Sequence, residues 1–93
     1  MESSQIEQVK QRIDIVTLIS EYVNLKKTGR NYRSVCPFHQ EKTASFMVSS
    51  DLQMFKCFGC NRGGDCIEFL KEAEGIEFTE ALERLAKRAG IIL

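Results

Sequence analysis

The sequence predicts an α+β domain, an antiparallel sheet flanked by helices on its N- and C-terminal sides. Three observations predict it. Apolar residues recur at helical spacing near the start of the chain. Short segments rich in aromatic and β-branched residues, divided by turn formers, fill the middle. Helical spacing returns after "NRGG", residues 61–64.

Taken in order, "IEQVKQRI" places Ile6, Val9 and Ile13 at spacings of three and four, which puts them on one helix face. Asp14 has the type and position of an N-cap for "IVTLISEYV", whose stripe is Ile15, Leu18, Ile19 and Tyr22. That helix is expected to end by Asn24. "LKKTGRNYRSVC", "ASFMVSS" and "LQMFKC" then read as an antiparallel meander, turned at Thr28-Gly29, around Pro37 and at Ser49-Ser50-Asp51. Strand alternation sets Phe46 and Val48 on one face and Ser45, Met47 and Ser49 on the other. Asp65 with Glu68 three residues on has the form of a capping box, and Cys66, Phe69, Leu70 and Ala73 make the stripe behind it. Gly75 is the expected stop. Thr79 is expected to start a last helix with Leu82, Leu85, Ala86 and Ala89 inward, ended by Gly90. There is no internal repeat and no low-complexity segment.

A length of 93 residues predicts one domain, residues 1–93. Its core is small, and domains of this size often need a metal, disulfides or a partner. No apolar run approaches the ~20 residues that span a bilayer, and "MESSQIEQ" lacks a signal pattern. The expected location is the cytoplasm, where thiols stay reduced, so the four cysteines point to metal before disulfides. The formal net charge of zero hides an uneven spread. Residues 24–64 hold seven basic side chains against Glu41 and Asp51, a net of +5, while the rest of the chain is acidic to the same extent.

The cysteines fall into a pattern with the single His: Cys36-x2-His39-x17-Cys57-x2-Cys60. Two close pairs separated by a strand-turn-strand length suit one tetrahedral zinc. Each pair can wrap its backbone around the ion, and Gly59 lets backbone amides approach a sulfur. Four protein ligands close the shell, so this zinc is expected to be structural, since a catalytic zinc keeps a position open. Three thiolates and a neutral imidazole around a dication leave −1, and the central segment then carries about +4. A four-cysteine set using Cys66 would leave His39 out. Cys66 falls on the buried stripe, however, and reads better as a small core residue. Phe38 and Phe58, inside the two close pairs, are expected to shield the metal.

With the ligands assigned, "LKKTGRNYRSVCPFHQEKTASF" and "MFKCFGCNRGGDCIEFL" resemble the N-terminal zinc-binding domain of bacterial DnaG-type DNA primases. The resemblance extends from "IDIVTLISEYVNLKK" to "EALERLAKRAGIIL". Its specific motifs are the Cys-Pro-Phe-His box, the Glu-Lys-Thr after it, and the Cys-Phe-Gly-Cys box with Gly-Gly following. Two positions depart from the family pattern: Ala44, where Pro is usual, and Cys66, where an apolar or small residue is. The resemblance implies a zinc-ribbon-like sheet ligated by Cys36, His39, Cys57 and Cys60. It implies a template-binding module that takes single-stranded DNA and helps choose where an RNA primer starts. It also implies that the chain is part of a longer primase, a DNA-directed RNA polymerase. The catalytic Mg²⁺ of that protein belongs to a separate polymerase domain, and other parts of it meet the replicative helicase. The module would work with a polymerase domain of its own or a neighbouring primase. No membrane is implied.

Single-strand binding combines backbone contacts from cations with aromatic platforms for bases. On that ground the candidate contacts are Lys27, Arg30, Arg33, Lys42 and Lys56, with Tyr32 and Phe55 as base platforms and Phe46 as core. Two other classes compete. A protein-interaction module would use the acidic helices, and binding only to a partner domain would mark it. An independent enzyme would need an open metal position or a catalytic pair, and the sequence offers neither.

Overall fold

The structure is a computed structural model, and it describes residues 3–38 and 44–93. Two short helices lead in, α1 (Ser3–Arg12) and α2 (Ile15–Ser20). Between them Asp14 caps α2, accepting from the Thr17 amide at 3.0 Å and the Thr17 hydroxyl at 2.7 Å. Val9, Ile13, Ile15, Leu18 and Ile19 are buried, as their spacing predicts. The helix stops at Ser20, so Tyr22 lies beyond it. Its ring still reaches the core, edge-on to Phe69 at 5.3 Å.

A five-stranded antiparallel meander follows in chain order: β1 (Lys26–Thr28), β2 (Asn31–Ser34), β3 (Phe46–Ser49), β4 (Met54–Cys57) and β5 (Gly63–Gly64). Alternation divides it into two faces. On the inner face Tyr32, Val48 and Phe55 sit opposite one another across β2, β3 and β4. The next inner pair is Phe46 and Cys57, both fully buried. On the outer face Arg33, Met47 and Lys56 stand opposite one another. The fifth strand adds to those the pattern predicts, since Gly-Gly carries neither an aromatic nor a β-branched side chain. Both glycines are sterically required: a Cβ at Gly63 would meet the Phe55 carbonyl oxygen at 2.9 Å, and at Gly64, with φ of 150°, the Glu68 side chain at 2.8 Å.

Two helices complete the fold, α3 (Cys66–Glu74), which packs on β5 and α2, and α4 (Phe78–Ala89), which packs on α3 and α1. Asp65 caps α3 as expected, accepting from the Glu68 amide at 3.0 Å. Gly75 ends α3, and Gly90 ends α4. The last helix begins at Phe78 with Glu77 at its cap, so Thr79 is inside the first turn rather than at its start. Leu82, Leu85 and Ala86 are buried as expected, together with Ala81. The core is an aromatic stack between sheet and helices. Phe46 lies on Phe55 at 5.5 Å, and Phe69 meets Phe55 edge-on at 5.6 Å.

Gln53 locks this assembly from the β3–β4 turn. Its side-chain oxygen accepts from the Ile15 amide at 2.8 Å, and its amide group donates to Asp14 at 3.1 Å. Asp14 therefore holds a helix end and a hairpin at once, and its hydrogen bonds outweigh burial and keep its carboxyl below the usual value. Asp14→Ala should cost about 0.5–2 kcal/mol, while Asp14→Asn should keep most of the cap. Urea melts of the zinc-loaded protein measure both. Because the carboxylate's pKa is depressed in the folded state, its contribution should be present above the unfolded pKa near 4 and fade as pH falls through the folded value. Equal loss in Ala and Asn variants would mean that the cap is not what stabilises this corner.

Candidate metal centre and outer sheet face

Cys36, just after β2, and Cys57, the last residue of β4, point inward from the sheet, and Cys60 follows in the next turn. Their sulfurs lie within 4.8 Å of one another, and Cys36 Sγ is 3.9 Å from Cys60 Sγ. Zn–S bonds of about 2.3 Å at tetrahedral angles would separate the sulfurs by about 3.8 Å. The three thiols fit a tetrahedral zinc, and three soft thiolates select zinc over magnesium. Cys66, 3% exposed on α3, stands outside the cluster, as its helical stripe predicts. His39 and Lys42, both singled out in the sequence, lie outside the described residues.

The loop around the cluster is built from backbone donors. The Phe38 amide points at Cys36 Sγ at 3.4 Å. Burial pushes the Cys36 thiol up to about 12, opposed by that amide and reinforced by the neighbouring thiols. Burial also raises Cys57, but the Cys60 amide, the Ser45 hydroxyl and the Gly59 amide together bring it down to about 7. Two sulfurs a few ångströms apart cannot both stay charged without a cation between them, which a dication would supply. The Gly59 amide is among the donors to Cys57. Phe38 packs between the cluster and the core, 5.6 Å from Phe69 and 5.9 Å from Phe55. Arg62 covers its outer side at 5.7 Å and pairs with Glu72, so this one central cation is already engaged.

The other aromatics are placed differently from the sequence reading. Phe58 does not shield the metal: it is 70% exposed. The reason is alternation continuing past β4. Cys57 points in, Lys56 and Phe58 point out, and the Phe58 amide still donates to the Ser45 carbonyl at 3.0 Å. Conversely Phe55 is only 3% exposed, and Tyr32 shares its face and packs on the core. Phe55 is therefore a core residue rather than a base platform, and the half-buried Tyr32 lies on the inner face, away from the outer row of cations.

The basic candidates also sort by face. Arg33 and Lys56 are exposed on the outer face. Lys27 pairs with Tyr32, so it belongs to the inner side of the edge strand, although it is exposed there. Lys26, passed over in the sequence, stands directly opposite Arg33 on the outer face. Arg30 is exposed at the tip of the β1–β2 hairpin. The outer row therefore runs Lys26, Arg33, Met47, Lys56, Gly63 across all five strands. Among the described residues, none of its three cations has a carboxylate within ion-pair distance. Strand alternation could have found Lys26 and Phe58 once the strand ends were known.

Comparison with known proteins agrees with this architecture. The family model described as the CHC2 zinc finger matches residues 1–93. DNA primase of Thermotoga maritima is 59% identical over 88 residues, which is 95% of this chain and 16% of that protein. DNA primase of Aquifex aeolicus is 54% identical over 95% of this chain and 18% of its own length. The crystal structure of the Aquifex aeolicus primase, comprising zinc-binding and RNA polymerase domains, superposes with a TM-score of 0.92 at 53% identity. The match covers 96% of this chain and 22% of that one. The chain thus spans about one-sixth of the length of the Thermotoga relative. No helix among the described residues is long and apolar enough to cross a membrane. By its sequence, its sheet and its three-thiol cluster, the chain belongs to the CHC2 zinc finger family, the zinc-binding domain of DNA primases.

Proposed function

We propose that this domain holds single-stranded template DNA for a primase and helps select the site where an RNA primer begins. Its zinc is structural, with His39 as the fourth ligand beside Cys36, Cys57 and Cys60. It works in the cytoplasm with a polymerase domain of the same or a neighbouring primase, where Mg²⁺ serves the chemistry. The observation that carries the reading is the outer row of cations. Lys26 and Arg33 are directly opposed, and like charges so placed repel. A phosphate backbone crossing the strands relieves that repulsion and adds the entropy of released counterions. Arg30 and Lys42 extend the same basic segment.

Charge reversal tests this. Arg33→Glu or Lys56→Glu should weaken binding of short single-stranded oligonucleotides while leaving one zinc per chain. Each lost phosphate contact should flatten the logarithmic salt slope by roughly 0.7. Lys71→Glu and Lys87→Glu, on the helices behind the sheet, should change little. Equal losses from both sets would place the binding surface elsewhere.

A further inference from the structure

Phe58 lies outside the core and is 70% exposed, while its backbone is fixed by the amide bond to the Ser45 carbonyl. It forms one wall of an open groove of about 520 Å³ on the outer face. Met47, Met54 and Leu52 supply other apolar surfaces, and Asn31 and Asn61 also line it. On the β5 side Gly63 and Gly64 line it without side chains. Asn61 is set in a left-handed conformation, φ 66°, with its carbonyl bonded to Lys56 Nζ at 3.2 Å. Lys56 thus ties the groove's edge to the cation row.

We propose that this groove is a nucleobase subsite, in which one unpaired base of a DNA strand stacks on Phe58 while its neighbouring phosphates lie on the cation row. The proposal rests on the template-binding reading above and adds to it a residue and a ligand part. The groove combines two demands that few occupants meet. Its lining is largely apolar, with two thioether sulfurs and an aromatic ring. Its border is positively charged, with Arg33 and Lys56 on either side of Met47. A nucleotide is flat and apolar on its base face and anionic at its phosphate. Asn side chains carry both a donor and an acceptor and can meet either class of base-edge group. Thioether sulfur adds favourable, adaptable contact with aromatic rings. The volume lies within the usual range of small-ligand sites, about 300–1,000 Å³.

The chain contains no Trp, so Phe58→Trp creates a single emitting reporter at the subsite. The zinc-loaded variant is titrated with a short single-stranded oligonucleotide and with an abasic strand of equal length. The oligonucleotide should quench the emission. The abasic strand should bind through its phosphates and leave the emission unchanged. In parallel, Phe58→Ala should weaken oligonucleotide binding about 5- to 150-fold, the range set by loss of one stacked base, and leave abasic binding unaffected. Phe58→Tyr should restore it. Zinc content and the Tyr variant separate loss of stacking from loss of fold. If Phe58→Ala binds the oligonucleotide as tightly as wild type while Arg33→Glu does not, the subsite is wrong and the template reading stands. If neither variant matters, both are wrong. Emission that responds to an added polymerase domain and to no oligonucleotide would assign the groove to a protein and overturn the proposal.

Discussion

Cys57→Ser is expected to lose its zinc and its cooperative melt together. Cys57 is the fully buried inner residue that ends β4, and its sulfur receives the Cys60 and Gly59 amides. Structural zinc sites in small domains contribute apparent binding free energies of about 10–16 kcal/mol. The net stability of a folded domain is only about 5–15 kcal/mol. Loss of the metal therefore removes an amount comparable with the whole margin. The damage would spread, because Phe38 is seated against Phe46, Phe55 and Phe69 by the loop the metal closes. Cys66→Ser is the control. It replaces a buried thiol by a hydroxyl on α3, outside the cluster. It should retain one zinc per chain and a cooperative melt, at a cost of about 1–3 kcal/mol for the buried polar group. Metal analysis and thermal melts of both variants, with His39→Ala as a third, decide the ligand set. Zinc lost from Cys66→Ser and kept in His39→Ala would reverse the assignment.

The 93-residue chain, given template, nucleotides and Mg²⁺, should make no primers. Phosphoryl transfer needs metal ions held at the reacting phosphates by acidic oxygens. Among the described residues the only metal-competent cluster is Cys36, Cys57 and Cys60, which suits zinc and not magnesium. Joined to a primase polymerase domain, the same chain should raise initiation at preferred template sites. A tethered template holder acts through effective concentration, so its benefit should reach about 10²-fold when template is scarce and shrink as template saturates. Elongation of a pre-made primer should depend on it much less, because the polymerase domain then already holds the duplex end. Initiation and elongation assays with and without the domain measure the difference. Primers made by the isolated chain, or equal loss of both steps on deletion, would overturn the template-holding role.

The sequence alone determined the order of the helices and of the first four strands, both helix caps at Asp14 and Asp65, and the thiol cluster. These rest on local rules: helical and strand periods, side-chain capping over three residues, and close ligand pairs. The separation of Cys66 from the cluster was also legible, since helical spacing placed it on a buried stripe. Which face each central side chain takes was decided only by the tertiary structure. Tyr32 and Phe55 look like surface platforms in the sequence, and Phe58 looks like part of a metal turn. The register of the strands turns the first two inward, Phe55 buried against Phe69 of α3 and Tyr32 half-buried at the edge of the core, and turns the third outward. A shift of one residue would exchange the faces of an entire strand, and no local pattern states which side the helices will cover. The lock supplied by Gln53 joins segments 38 residues apart, and the hairpin partners Lys26–Arg33 and Lys56–Gly63 follow from a strand register that no side-chain pattern states. Packing of Phe46, Phe55 and Phe69 together sets which sheet face is inward, and so which residues are left facing solvent.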